Sequence, residues 1–283
     1  KTLKLLDKVE LAPKMDLIAD RCTDKVDVYH ISFGNIKGTR MYGVLTMPKK
    51  EGKYPSILKV PGAGVHAMSG NVAWAAKGAI VLEIGIHGIP VILESGLYSD
   101  LSNGVLSNYV LHGIENRYTY FFRRVYMGCV KAVDFLLSLP KNNGKVGVIG
   151  GSQGGMLSLA TSYLDKRISA TGVYFPAFCD QEAYLHGRTG GWPHFFKNKD
   201  NGKKEYVETA RYYDGANFAR KLTAPVYYAY GYNDLTCGPT TSAATYNAIS
   251  APKQVVIGGN EGHWLFPEHI NGMWEWMIQE LSK

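Results

Sequence analysis

Residues 25–33, KVDVYHISF, alternate apolar and polar positions with a period of two and stop at Gly34. Gly38 follows, and Arg40–Met47 extends to Pro48. This pattern predicts a β-hairpin near the N-terminus. After it the pattern changes to short apolar runs separated by helix-length segments. The runs Ser56–Val60, Ala79–Ile84, Lys145–Ile149, Ala170–Tyr174, Val226–Tyr230 and Gln254–Ile257 predict strands of a parallel sheet covered on both faces.

The strongest helical stripe runs over Ile114–Ser138, with apolar positions at 118, 121, 122, 125, 129, 133, 136 and 137 and Pro140 just past its end. Further helices are expected from about Gln153, over Thr240–Ile249 and over Pro267–Leu281. Alternating strands and helices predict one α/β domain over 1–283, a doubly wound and mostly parallel sheet with helices on both faces. No repeat or low-complexity linker divides it. Two stretches break the rhythm, 85–113 and 176–212, both rich in Gly, Tyr, Trp and His. Irregular insertions of that length predict lids or binding loops.

Apolar residues make up 46% of the 283 positions and charged residues 19%, which excludes a disordered chain. No run reaches the roughly 18 apolar residues of a membrane span; the best, Ala79–Leu93, is interrupted by Glu83 and His87. No membrane insertion is expected. The chain begins at Lys1, without Met or a leader pattern. It is read as a processed product, secreted or periplasmic, with its signal removed. The net charge of +7 is not gathered on one segment, the nearest basic pairs being Lys49–Lys50 and Lys203–Lys204. A nucleic-acid partner is therefore not expected. Cys22, Cys129, Cys179 and Cys237 form no C-x-x-C pair and have no metal-ligand spacing with His. No metal or organic cofactor is implied, and a disulfide stays open.

The chemistry begins at residues 145–156, KVGVIGGSQGGM. A predicted strand enters Gly150-Gly151-Ser152-Gln153-Gly154, a G-x-S-x-G turn, and a helix leaves it. That strand–turn–helix context is what a nucleophile elbow needs. Small neighbours let strand and helix pass closely, and a serine at a helix N-terminus sits where negative charge is favoured. The Gln153 N–H is a candidate oxyanion donor. The Lys-Ser/Thr ending of a phosphate-binding loop is missing.

A serine nucleophile needs a base, and the base needs an orienting carboxylate. In an elbow fold these follow in the order acid, then histidine, on loops after later strands. Val226–Tyr230 leads to Asp234, and Gln254–Ile257 leads to His263. His30, His66, His87 and His112 precede the serine. His186 and His194 lie in the second insertion, and His269 falls within the last helix. Glu261 rivals Asp234 but is too close in sequence to His263, and Asp214 precedes its strand. The second oxyanion donor is expected after Ser56–Val60, in Pro61-Gly62-Ala63-Gly64, with the Ala63 N–H as candidate.

These segments resemble the acetyl xylan esterase / cephalosporin C deacetylase family of carbohydrate esterases. The likeness runs through YFFRRVYMGCVKAVDFLLSLP (120–140), VGVIGGSQGGM (146–156) and YFPAFCD (174–180). It continues in ARYYDGANFARKLTAPV (210–226) and YGYNDLTCGPTTSAATYNAI (230–249). The resemblance implies an α/β-hydrolase fold and removal of short acyl groups from sugars. It also implies Ser152, Asp234 and His263 as triad and Ala63 and Gln153 as backbone oxyanion donors. Its partner is an acylated carbohydrate, and it leaves room for a homo-oligomer. The sequence departs from the family in three places. His87-Gly88-Ile89 stands for an Arg-Gly-Gln motif, His263-Trp264 for a His-Glu pair, and Ala63 for a tyrosine. The family's N-terminal helical segment is not evident. Substrate contacts are expected from His87, Tyr184, Trp192, Phe195 and Trp264. Feruloyl specificity, a prolyl-oligopeptidase-like peptidase and a silent sugar-binding protein are the alternatives.

Overall fold

The computed structural model describes residues 3–283. Nine strands form one sheet: β1 (Lys14–Leu17), β2 (Val26–Gly34), β3 (Arg40–Pro48), β4 (Tyr54–Lys59), β5 (Ile80–Gly85), β6 (Asn142–Gly151), β7 (Ile168–Tyr174), β8 (Val226–Gly231) and β9 (Lys253–Gly258). Their order is β1-β2-β3-β5-β4-β6-β7-β8-β9. The hairpin pairs Val26 with Pro48 through to Gly34 with Arg40. β1 joins β2, and β3 joins β5, antiparallel; every pair from β5 across to β9 is parallel. The edge strand β1 was not expected. Its four residues are all exposed, so they carry no alternation to read.

The helices are α1 (Leu3–Leu6), α2 (Val72–Ala76), α3 (Ser95–Asn103), α4 (Phe121–Ser138), α5 (Gln153–Leu164), α6 (Lys204–Tyr213), α7 (Gly215–Ala219), α8 (Pro239–Ala248) and α9 (Pro267–Leu281). α4, α5, α7 and α8 cover one face of the sheet, and α2 and α9 cover the other. On the first face Phe33 stacks on Phe135 inside the largest core. On the second, Trp74 and Trp274 stack at 5.2 Å beside the buried Met273 and Met277. Burying side chains of this size contributes roughly 1.5–3 kcal/mol each.

α4 starts seven residues later than the apolar stripe suggests. The stretch 114–120 forms turns instead: Gly113 takes φ +73°, the Asn116 side chain accepts from the Tyr118 N–H, and the buried Tyr120 hydroxyl donates to the Val110 carbonyl. The Tyr120 bond and one from the Phe121 N–H to the His112 carbonyl fasten it to the first insertion, which outweighs helical periodicity. Neither insertion is irregular throughout. Residues 85–113 contain α3 and a 3-10 turn at Tyr109–Leu111, and 176–212 contain three 3-10 turns and most of α6.

Candidate active site

β6 ends in the elbow. Ser152 caps α5 with φ 56° and ψ −123°, a conformation rarely taken by a residue with a Cβ. Such strain costs of order 1–3 kcal/mol and persists only where the surroundings enforce it. Here glycines make the crossing feasible: a Cβ on Gly154 would lie 2.5 Å from the Val60 carbonyl oxygen, and one on Gly155 2.9 Å from Pro176. The turn therefore lifts the Ser152 hydroxyl clear at the carboxyl ends of the parallel strands.

β8 and β9 deliver the other two groups to the same end. His263 Nε2 lies 3.0 Å from Ser152 Oγ, and its Nδ1 lies 2.8 Å from Asp234 Oδ2. Asp234 is 1% exposed. Its second oxygen accepts from the Thr236 and Cys237 N–H groups at 2.8 and 2.7 Å. A buried carboxylate so held needs no water and keeps one orientation. With the Nδ1 proton donated to Asp234, Nε2 is left as an acceptor facing the serine proton. The Phe175 ring packs 4.5 Å from the imidazole.

Glu261 is also buried, yet it does not face His263. It accepts from the Phe266 N–H at 3.0 Å and pairs with His269 Nδ1 at 2.9 Å. It thus braces the loop that carries His263. Asp214 accepts from the N–H groups of Asp180, Gln181 and Ala216. Burial pushes its carboxyl up to about 6. It fastens the start of the second insertion to α7.

The loop after β4 meets the elbow through side chains. Gln153, fully buried, donates from Nε2 to the Gly62 carbonyl at 3.1 Å. The Tyr109 hydroxyl donates to Gln153 Oε1 at 2.8 Å and accepts from the Gly64 N–H at 3.0 Å. His87 Nε2 lies 2.9 Å from the Gly64 carbonyl, and Arg124 donates to the His87 carbonyl. Burial pushes His87 down to about 4, so the ring is neutral and Nε2–H is the donor. Between these tethers Ala63 is exposed. Among the described residues the Ala63 and Gln153 N–H groups have no partner.

The expected substrate contacts divide. His87 is committed to Gly64. Tyr184 bonds His194 Nδ1 at 2.9 Å. Trp192 lies edge-on to the buried Phe178 at 5.3 Å, and Phe195 packs between Phe196 and Tyr206. Both anchor the second insertion. Trp264 is 49% exposed, beside His263 and edge-on to Phe266. Two groups went unread in the sequence. Tyr109 lies in an insertion with no period to mark it. Cys237, which the sequence marks as a thiol within the segment 230–249 but gives no role, is buried next to Ser152, and burial, then the nearby Asp234, pushes it up, so it stays protonated. The four cysteines are unpaired.

A family model described as acetyl xylan esterase (AXE1) matches residues 1–280. An acetyl esterase of Xylanibacter ruminicola, Axe7A, is 40% identical over 266 residues, covering 92% of this chain and 61% of that protein. The chain thus spans less than two thirds of the length of that relative. Among solved structures, the acetyl xylan esterase from Paenibacillus sp. R4 aligns with TM-score 0.83 at 26% identity, over 98% of this chain and 91% of that one. Acetyl xylan esterase 1 from Thermoanaerobacterium sp. JW/SL YS485 aligns with the same score at 21% identity, over 99% and 91%. The fold is that of the α/β-hydrolases.

Proposed function

Because the chain belongs to the acetyl xylan esterase family, we propose that it is a serine carboxylesterase that removes acetyl groups from carbohydrate esters. One observation carries the reading: Asp234 Oδ2, His263 and Ser152 Oγ stand in one unbroken relay, with contacts of 2.8 and 3.0 Å.

The chemistry follows from the relay. His263 Nε2 takes the Ser152 proton as Oγ attacks the acetyl carbonyl carbon. The carbonyl electron pair moves to oxygen, and the Ala63 and Gln153 N–H groups stabilise it. The tetrahedral adduct collapses, the ester C–O bond breaks, and the sugar oxygen leaves with the proton held on Nε2. Water then gives a proton to His263 and attacks the acyl-enzyme. Acetate leaves, and the proton returns to Ser152. Throughout, the Asp234 side chain holds the imidazolium in place.

Two features support a polymer-borne acetyl group. Ala63 puts only a methyl at the mouth of the site, and Trp264 offers an exposed ring beside it. Aromatic faces pack against the apolar faces of sugars. On acetylated polysaccharide, which is too large to enter a cell, the enzyme would work outside the cytoplasm.

The test is a substrate series: acetyl, butyryl and octanoyl esters of p-nitrophenol, then acetylated xylo-oligosaccharides, with acetate release measured. We expect kcat/KM to fall with chain length and acetate to be freed from the oligosaccharides. A steady rise toward octanoyl overturns the reading, since each methylene that fits gains about 0.8 kcal/mol by burial.

A further inference from the structure

The Ala63 N–H belongs to a loop that cannot hold itself. Glycine flanks it on both sides, and Gly64 has φ +125°, a region in which a glycine is weakly restrained. An oxyanion donor must nevertheless sit 2.7–3.1 Å from the developing charge. Something outside the loop has to set it.

The peptide that carries the Ala63 N–H also carries the Gly62 carbonyl. A trans peptide is planar, with its C=O and N–H pointing in opposite directions. Whatever fixes the Gly62 carbonyl therefore fixes the N–H. That group is Gln153 Nε2, at 3.1 Å. A side-chain amide can flip end for end, exchanging its donor for its acceptor. Here the Gly62 and Pro61 carbonyls, which can only accept, prevent it, and Tyr109 completes the arrangement. Its hydroxyl has one proton, donated to Gln153 Oε1 at 2.8 Å, and its lone pair accepts the Gly64 N–H at 3.0 Å. The polarity runs one way round a ring: Gly64 N–H to Tyr109, Tyr109 to Gln153, Gln153 to Gly62. Ala63 is enclosed by it.

We propose that Tyr109 is a positioning residue of the esterase: its hydroxyl, bridging the Gly64 N–H and the Gln153 side chain, sets the peptide plane from which the Ala63 N–H faces the oxyanion. This rests on the serine-esterase reading above. Tyr109 is 6% exposed and Gln153 fully buried, so water does not stand in for the phenol. His87 backs the arrangement. Its ring meets Tyr109 edge-on at 4.6 Å, and its Nε2–H holds the Gly64 carbonyl. First-insertion residues thus serve the site without touching substrate.

The experiment compares wild type, Tyr109→Phe, Gln153→Met and their double variant on p-nitrophenyl acetate. An alkyl trifluoromethyl ketone, which Ser152 converts to a tetrahedral oxyanion adduct, supplies the second readout. Removing an oxyanion donor costs about 10²–10³ in kcat, so misaligning one is expected to cost about 10–100-fold. In Tyr109→Phe, kcat falls by that factor, KM stays within twofold, and the ketone's Ki rises by the same factor as kcat falls. The double variant loses no more than the worse single one, because both break one ring. A folded Tyr109→Phe with kcat and Ki within twofold of wild type overturns the proposal. If Tyr109→Phe does not fold, the kcat, KM and Ki of Gln153→Met decide in its place. Ser152→Ala keeps the two ideas apart. Activity surviving in Ser152→Ala removes the serine-esterase reading itself, whereas an inactive Ser152→Ala beside an unimpaired Tyr109→Phe removes only the role of Tyr109.

Discussion

The two sides of the candidate site are held by different forces. On one side, His263 is aimed by charge: a buried carboxylate, itself gripped by two N–H groups, holds the imidazole. On the other side no ion pair appears in the contacts that hold Gly62 and Gly64. A phenol, an amide and a neutral imidazole hold them. Bonds to an ionised group contribute about 1.5–3 kcal/mol and neutral ones about 0.5–1.5. The acid–base side is therefore few-membered and strong, and the oxyanion side is many-membered with each member weak. Single substitutions should be catastrophic on the first side and graded on the second.

The largest effect tests where the two sides meet. Ser152→Ala is expected to cut turnover by about 10⁵–10⁶-fold, leaving the residual rate that oxyanion donors and binding sustain alone. The melting temperature should stay near wild type, since alanine keeps the small volume of the turn. A folded Ser152→Ala with near-normal turnover of p-nitrophenyl acetate would remove the nucleophile. Next in size is Asp234→Asn, expected to cost about 10⁴-fold, because an amide donates to Nδ1 and leaves the wrong tautomer facing Ser152. Glu261→Gln is the matched control. It should lower stability by about 1–3 kcal/mol while slowing turnover less than tenfold, since Glu261 faces Phe266 and His269. The reverse pattern would exchange the roles of the two acids.

The same division explains what could be read from sequence. Ser152, Asp234 and His263 each follow a strand whose apolar run is plain, so topology alone brings them to one end of the sheet. Ala63 is near such a strand too. Tyr109 is not. It sits on a 3-10 turn deep in the first insertion, and its bonds span 44 and 45 residues to Gln153 and Gly64. No local pattern encodes a tether of that kind. The late start of α4 has the same origin: an apolar stripe is legible, but the Tyr120–Val110 bond that ends it is not. Among the expected substrate contacts, an aromatic residue in an insertion looks the same in sequence whether it faces ligand or core. Phe195 proved to face its own insertion, and Trp264 faces solvent.

The neutral side also predicts a pH signature in stability. His87 is pushed down to about 4 by burial, from an ordinary 6.5. Between those values the unfolded chain binds the proton more readily than the folded one. Stability therefore rises with pH across that window, is fully present above about 6.5, and is lost as pH falls toward 4. The shift corresponds to about 2–3 kcal/mol once its partial exposure is allowed for. Asp214, pushed up to about 6, contributes the opposite slope, so the comparison must be between variants. Urea unfolding at pH 7.5 and pH 4.5 should show a drop about 2–3 kcal/mol smaller in His87→Gln than in wild type. Equal drops would mean that His87 takes up its proton in the fold without cost.

The smallest expected effect separates substrate contact from scaffold. Trp264 stands on the acid–base side, next to His263, 49% exposed and edge-on to Phe266. Phe195 is wedged between Phe196 and Tyr206 and packs on the main core. Aromatic pairs contribute about 0.5–1.5 kcal/mol beyond area burial, and a contact of that size to a sugar face corresponds to a few-fold to about tenfold in KM. Trp264→Ala should raise KM for acetylated xylo-oligosaccharides by that factor. It should leave p-nitrophenyl acetate within twofold, because a substrate that small does not extend to the indole. Its melting temperature should barely move. Phe195→Ala should do the opposite, lowering the melting temperature through lost packing while KM for both substrates changes little. If Phe195→Ala raises KM for the oligosaccharide alone and Trp264→Ala does not, the sugar lies over the second insertion, and the exposed indole is mere surface.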